Sequence, residues 1–149
     1  MTKERFKLGV YVTLILRKDN KIVLIRRANT GIDDGQYACA GGKVDGDEPI
    51  TGAMVREAYE EIGITLKKKD LKVVHVLHAI KNETRCETIG FFIEARAWEG
   101  EPQNMEPHKC DDIAWFQLSA LPENTMPTLI HVLAMLDKGV SFSEYGWEE

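Results

Sequence analysis

Apolar and polar residues follow two different periods along this chain, and each period predicts a different kind of element. Runs rich in β-branched and aromatic residues, separated by short polar stretches, indicate strands. The predicted strands cover residues 7–16, 21–27, 37–42, 71–80, 87–98 and 112–118. Apolar residues recur with the helical period in two further segments, 50–62 and 126–139, so we predict two helices there.

Polar turns connect several of the predicted strands. Asp19 and Asn20 lie between the first two strands, and both residue types tolerate the backbone angles of a tight turn. We therefore expect the chain to open with two antiparallel strands. Residues 28–37 are rich in glycine and aspartate, which indicates a loop.

Proline and glycine mark the ends of the two predicted helices. Pro49 precedes the first helix and Gly63 follows it, while Pro127 and Gly139 bracket the second. The order strand-rich, helix, strand-rich, helix predicts an α+β fold, an α/β/α sandwich with a mixed sheet between helices. We find no repeat or linker, so residues 1–149 are expected to form a single domain.

The charge and composition exclude several classes of partner. The net charge of −5 argues against a long nucleic acid but permits a small nucleotide bound through a metal. No secretory signal and no apolar run of about 20 residues is found, so we expect no membrane association and a cytoplasmic location. Three cysteines without a C-x-x-C pair give little support to a disulfide frame or a zinc site.

An acidic cluster lies on the first predicted helix. At about 100° per residue, Glu57, Glu60 and Glu61 fall on one arc, beside the apolar arc that packs on the sheet. A solvated acidic face is the ordinary interpretation of such a cluster. The alternative is a site for Mg²⁺, which prefers oxygen ligands and would remove the repulsion between the carboxylates.

The segment around this helix resembles the Nudix box, G-x5-E-x7-R-E-U-x-E-E-x-G-U, where U is aliphatic. Every fixed position is filled, and only Ala58 is smaller than the commonest choice. The matching residues are Gly42, Glu48, Arg56, Glu57, Ala58, Glu60, Glu61, Gly63 and Ile64. So long a pattern is far more specific than a single glycine motif, and it favours the metal interpretation over the solvated face.

The resemblance implies a Nudix fold with a mixed, curved sheet, and an enzyme that hydrolyses a nucleoside diphosphate linked to another group. It places Mg²⁺, with Mn²⁺ as a substitute, on Glu57, Glu60 and Glu61. It places Glu48, Arg56 and Glu60 in the catalytic machinery, where Arg56 holds a glutamate and one glutamate serves as base for the attacking water. Taken alone, Arg56 also fits a simple surface pair with Glu60.

Outside the box the expected ligands are fewer. Arg27 is our candidate phosphate ligand, since a guanidinium matches phosphate oxygens in a forked geometry, although Arg26 or Arg27 also fits an ordinary edge charge. Gly42 would let its backbone approach the metal or phosphate, or else it is a simple turn glycine. Glu106 is our candidate for an extra metal-site acid from a loop, against plain solvent exposure.

The C-terminal part, residues 104–129, looks like that of the Nudix 15 group of nucleotide diphosphatases, and this resemblance favours a homodimer. Apolar strand residues in 91–98 and the first hairpin supply surface for one, unless they pack beneath the helices. Two departures are Ala40, where many relatives have proline, and residues 126–129, which lack the acidic pair by which oxidised-purine hydrolases read their base.

These features favour a Mg²⁺-dependent pyrophosphohydrolase that cleaves a nucleoside triphosphate to the monophosphate and pyrophosphate. The alternatives are an ADP-ribose or nucleotide-sugar pyrophosphatase and a non-catalytic nucleotide sensor on the same fold. A sensor should have lost a box acid, and this chain has lost none. Isopentenyl diphosphate isomerase shares the fold, but no cysteine and glutamate pair for its chemistry stands out.

Overall fold

The computed structural model describes residues 3–147, in which the chain forms nine strands, two α-helices and one short 3-10 helix. The strands are β1 (Gly9–Ile15), β2 (Arg17–Lys18), β3 (Lys21–Arg27), β4 (Tyr37–Ala38), β5 (Gly41–Lys43), β6 (Leu71–Lys81), β7 (Cys86–Ala95), β8 (Cys110–Gln117) and β9 (Phe142–Tyr145). The helices are α1 (Ile50–Ile62) and α2 (Pro127–Asp137), and Lys68–Asp70 is the 3-10 helix. Neither α-helix has the length and apolarity needed to cross a bilayer.

The strands form two sheets. The larger sheet has the order β5-β1-β7-β6-β9 and is mixed, since β1 is parallel to β7 and β6 is parallel to β9, while the other two pairings are antiparallel. In the smaller, antiparallel sheet β3 pairs with β8 along its whole length and with the short strands β2 and β4.

The opening hairpin is present but much shorter than predicted. Asp19 and Asn20 have φ of 53° and 63°, as a tight turn requires, yet only Arg17 and Lys18 pair with β3. β1 instead pairs with β5 and β7 in the larger sheet. Both faces of β1 are apolar, and such a strand is most stable in the interior of a sheet, covered on both sides.

The two helices cover opposite faces of the strands. Val12, Leu14 and Leu16 point to α1, and the buried residues of that cluster include Ala53, Met54, Ala58 and Ile62 of the helix. The alternate residue Ile15 points to the cluster around Leu129 and Val132 of α2. The predicted α+β fold with mixed strands between helices is therefore confirmed, with the strands divided between two sheets rather than joined in one.

Helix α1 has the predicted bounds and holds its acids beside the core. Pro49 is its N-cap residue, with extended backbone angles. Gly63 ends the helix in the left-handed region, at φ 72°, and its N–H donates to the carbonyl of Tyr59 at 3.1 Å. Because the apolar arc packs against β1, the orientation of the acidic arc is fixed.

Two parts of the sequence form elements that the hydrophobic pattern did not predict. Residues 37–42 form two strands instead of one, since β4 pairs with β3 and β5 pairs with β1. β9 was not predicted, and it adds to the larger sheet beside β6. Within residues 91–98, part of the predicted dimer surface, Phe92, Ile93 and Ala95 are buried in the core, so these three residues give the homodimer no surface and it stays a prediction.

Candidate active site

Strand β5 approaches helix α1 closely, and the approach depends on two glycines. The Gly41 N–H donates to Glu61 Oε2 at 3.1 Å. A Cβ atom on Gly42 would lie 2.6 Å from Cδ of Glu57, so no other residue fits there without moving that carboxylate. Gly42 is thus more than a turn glycine, because its missing side chain makes room for Glu57.

Arg56 binds the acids of the box together. Its Nε and Nη2 donate to the two oxygens of Glu48 at 3.1 and 2.8 Å, while Nη1 donates to Glu57 at 2.9 Å and to Glu60 at 3.3 Å. Hydrogen bonds from Arg56, and then one from the N–H of Asp45, lower the pKa of Glu48 to about 2. The surface pair with Glu60 exists, but the forked bond to Glu48 is shorter, so Arg56 primarily orients carboxylates.

A polar cavity of about 530 Å³ brings the predicted ligands together, and we call it the acidic cavity. Its charged lining comprises Arg27, Lys43, Asp45, Glu57, Glu60, Glu61, Glu106 and Lys109, with the backbone of Gly42. Every predicted metal ligand and both predicted substrate-binding residues therefore lie at one place. Glu48 and Arg56 do not line the cavity and act on it through Glu57 and Glu60.

The acidic cavity has the chemistry of a site for a hard divalent cation. Within residues 3–147 no three acidic, histidine or cysteine side chains are already arranged as a ligand set, and Arg56 occupies oxygens of Glu57 and Glu60. Burial raises the pKa of Glu61 well above its usual range, and the carboxylates of Glu57 and Glu106 raise it further. A cation would relieve this repulsion, so the residues fit Mg²⁺ or Mn²⁺ after side-chain adjustment.

The two adjacent arginines of β3 have different partners. Arg26 forms an ion pair with Asp111 at 2.7 Å and lies over the ring of Tyr37, which is a structural arrangement. Arg27 lines the acidic cavity, where Nε donates to the carbonyl of Ile32 at 2.8 Å. Of the two arginines, Arg27 therefore lines the acidic cavity and Arg26 does not.

Glu106 comes to the acidic cavity from the loop before β8. Its side chain is 32% exposed and forms an ion pair with Lys109 at 4.0 Å. Its charge is near enough to Glu61 to raise the pKa of that group. Glu106 is thus placed with the helix acids, as expected of a fourth acid in this site.

A second cavity of about 360 Å³ neighbours the acidic cavity, and we call it the apolar cavity. It shares Arg27, Gly42 and Lys43 with the acidic cavity. Phe92, Met126 and Leu129 contribute to its mostly apolar lining. We call the two neighbouring cavities together the cleft, which offers a charged compartment and an apolar compartment.

Sequence reasoning missed several residues of this cleft, among them Lys43, Lys109 and Tyr11. Lys43 and Lys109 add cations to the acidic cavity, and Tyr11 lines the apolar cavity. Lys109 belongs to the segment "EPHKC", which begins at Glu106, and its place near Glu106 in the sequence was the only indication that it could lie in the site. Lys43 and Tyr11 are opposite each other in the β1–β5 pairing, which no local pattern reveals.

Comparisons with known proteins agree with this geometry. A family model described as the NUDIX domain matches residues 5–136. The 8-oxo-dGTP diphosphatase of Escherichia coli (strain K12) is 31% identical over 123 residues, which are 81% of this chain and 88% of that protein. The ADP-ribose pyrophosphatase of Methanocaldococcus jannaschii is 44% identical over 67 residues, which are 45% of this chain and only 39% of that protein.

A solved structure extends the agreement to the fold. The crystal structure of a MutT NUDIX hydrolase from Burkholderia pseudomallei has a TM-score of 0.79 and 29% sequence identity, and the match covers 87% of this chain and 98% of that one. The NUDIX match spans most of the chain and contains the complete box. The chain therefore belongs to the Nudix hydrolases and is an enzyme acting on pyrophosphate bonds.

Proposed function

We propose that this enzyme hydrolyses a nucleoside triphosphate to the monophosphate and pyrophosphate, with Mg²⁺ as its metal. The observation that carries the proposal is the cleft, in which Arg27, Gly42 and Lys43 line both the acidic cavity and the apolar cavity. A triphosphate with bound cations suits the first cavity, and a single nucleoside suits the second. Water adds across the anhydride bond between the α- and β-phosphoryl groups, which breaks that bond and releases pyrophosphate.

The side chains of the acidic cavity have separate roles in this proposal. Glu57, Glu60, Glu61 and Glu106 would hold Mg²⁺, and Arg27, Lys43 and Lys109 would neutralise phosphate oxygens. Bound Mg²⁺ neutralises phosphate charge and lowers the pKa of bound water. Arg56 and Glu48 keep Glu57 and Glu60 in position.

Glu60 is our candidate for the group that accepts the proton of the attacking water. Its side chain is 51% exposed and lines the cavity, so water reaches it. Glu61 is half-buried beside Gly41 and accepts a backbone hydrogen bond, which suits a fixed ligand better than a base.

The lining of the apolar cavity supports an unmodified base over an oxidised purine. Met126, Thr128 and Leu129 contribute to the cavity, and none of them carries a carboxylate. Among the cavity-lining residues within 3–147 only Asp33 is acidic, so the lining has one carboxylate and not the acidic pair by which oxidised-purine hydrolases read their base. The size of the cavity, about 360 Å³, also suits one nucleoside better than the two sugars of a nucleotide sugar.

The free state of Cys39, Cys86 and Cys110 supports a reducing compartment, in agreement with the cytoplasm.

The test is a product analysis. ATP, GTP, dCTP, dTTP and ADP-ribose are each incubated with enzyme and Mg²⁺ in excess of nucleotide, and the products are separated by ion-exchange chromatography with and without inorganic pyrophosphatase. We expect monophosphate and pyrophosphate from at least one triphosphate. Nucleoside diphosphate as the first product, or consumption of ADP-ribose alone, would refute the proposed reaction. Hydrolysis of none of the five compounds would refute the proposed substrate class and point to another pyrophosphate-containing substrate.

A further inference from the structure

Tyr11 lies in the apolar cavity at a place where the sheet makes room for its ring. It is in the middle of β1, half-buried, and its ring meets the ring of Phe92 edge to face, with centroids 6.2 Å apart. Tyr11 is opposite Lys43 on one side and Gly90 on the other, since β1 lies between β5 and β7.

Gly90 determines the direction in which the Tyr11 ring points. A Cβ atom on Gly90 would overlap Cζ and the hydroxyl oxygen of Tyr11 and would lie 2.6 Å from Cε2. The ring therefore extends across β7, away from β5 and from the acidic cavity. Adjacent strands are about 4.8 Å apart, so the hydroxyl group is roughly two strand spacings from β5.

The Tyr11 hydroxyl group has no protein partner in residues 3–147, while every fully buried side-chain nitrogen or oxygen in that part of the chain has one. It follows that the hydroxyl group is not fully buried, and Tyr11 is among the residues that line the apolar cavity. Burial of the ring raises the pKa of Tyr11 to about 12, so the group keeps its proton in ordinary buffers. An unpaired donor in a mostly apolar cavity is a group that a ligand can satisfy.

We propose that the Tyr11 hydroxyl group hydrogen-bonds the base of the bound nucleotide and is a determinant of base specificity. The inference rests on the proposed function, which puts the phosphates in the acidic cavity and the nucleoside in the apolar cavity. The base is the end of a nucleotide farthest from its phosphates, and the Tyr11 hydroxyl group is directed away from the acidic cavity. A site that hydrogen-bonds a substrate group discriminates against substrates that lack it.

The experiment compares Tyr11→Phe with the wild-type enzyme. This change keeps the ring that fills the space over Gly90 and removes only the hydroxyl group. Binding of ATP, GTP, CTP and UTP is measured by calorimetry in Ca²⁺, and kcat and KM are measured in Mg²⁺. We expect Kd and KM for the preferred nucleotide to rise about tenfold, the scale of one lost hydrogen bond, with kcat within twofold of wild type. Affinities for the other bases should change much less.

Tyr145→Phe is the matched control, because Tyr145 is on β9 of the same sheet and lines neither cavity. Gly90→Ala should reduce base discrimination as well, since the added methyl group displaces the ring. Equal changes for all four nucleotides in Tyr11→Phe, or no change, would overturn this inference and leave the proposed function intact. If the wild-type enzyme binds none of the four, the inference and the proposed nucleoside cavity both fail.

Discussion

The four glutamates of the acidic cavity differ in environment although they share one residue type. Glu60 has a side chain that is 51% exposed, whereas that of Glu57 is only 12% exposed. Glu61 is half-buried, and desolvation of its carboxylate raises its pKa. Without metal, replacing the Glu61 carboxylate by a neutral group should therefore stabilise the folded protein, while the same change at Glu60 should affect its stability little.

We predict that Glu60→Gln and Glu61→Gln each lower kcat by about 100-fold or more, the scale of a misplaced metal or base. Without metal, the melting temperature of Glu60→Gln should stay close to that of wild type, and that of Glu61→Gln should equal or exceed it. Steady-state kinetics and thermal denaturation check both statements.

Glu123→Gln is the control for these two variants, since Glu123 is exposed and lies outside both cavities. It should retain wild-type kcat. Near-wild-type turnover by both Glu60→Gln and Glu61→Gln would exclude the acidic arc of α1 as the metal site.

Residues also differ in how far the sequence alone revealed them. The box acids were predicted because their spacing is local, and a helix converts that spacing into one face. Glu60 could be named as a partner of Arg56 because it lies one helical turn further on, whereas Glu48, which Arg56 holds by two hydrogen bonds, was not named as its partner. Tyr11 and Gly90 are 79 positions apart in the chain, and only the parallel pairing of β1 with β7 brings them together.

Among the elements, the two helices and the long strands were predicted well because each has a strong period of its own. The pairing of the strands was not, since a strand with two apolar faces, such as β1, fits several positions in a sheet. β9 has only four residues and alternates exposed and half-buried positions, so its pattern is too short to separate it from a loop. Residues 37–42 are split because the chain passes from the smaller sheet, at β4, to the larger sheet, at β5, and the hydrophobic period does not encode this change of sheet.

The ion pair between Glu48, in the loop before α1, and Arg56 of the helix is predicted to stabilise the fold in a pH-dependent way. The hydrogen bonds from Arg56 lower the pKa of Glu48 to about 2, below its ordinary value of 4.5 in the unfolded chain. The ionised Glu48 therefore contributes stability above pH 4.5, and the contribution is lost as the pH falls toward 2. We expect Glu48→Gln to melt below wild type at pH 7 and the difference to shrink between pH 4.5 and 2.

Melting curves at pH 7, 5, 4, 3 and 2 check this dependence. Glu123→Gln serves again as the control and should follow wild type, because its side chain is exposed and no ion pair of Glu123 is found in residues 3–147. A difference between Glu48→Gln and wild type that stays constant down to pH 2 would contradict the assigned role of Arg56.

At the scale of the whole molecule, the cleft joins both sheets and α1 into one functional unit. Lys43 comes from the larger sheet, Arg27 from the smaller sheet and Glu57 from α1. A ligand that binds to all three can do so only in the folded state. Its binding should therefore stabilise the entire domain rather than one element.

We predict that Mg²⁺ raises the melting temperature of the wild-type enzyme and that Glu57→Gln abolishes most of the increase. At 100 times Kd, a ligand specific for the folded state adds about 2.7 kcal/mol, which corresponds to roughly 5–10 °C for a domain of this size. Glu57 lines the acidic cavity with a side chain that is 12% exposed, so its loss removes a ligand without exposing the core. Melting curves at increasing MgCl₂, with NaCl added to keep ionic strength constant, separate binding from screening. Glu123→Gln should gain as much stability as wild type. An equal gain in Glu57→Gln would mean that Mg²⁺ binds elsewhere or acts only by screening.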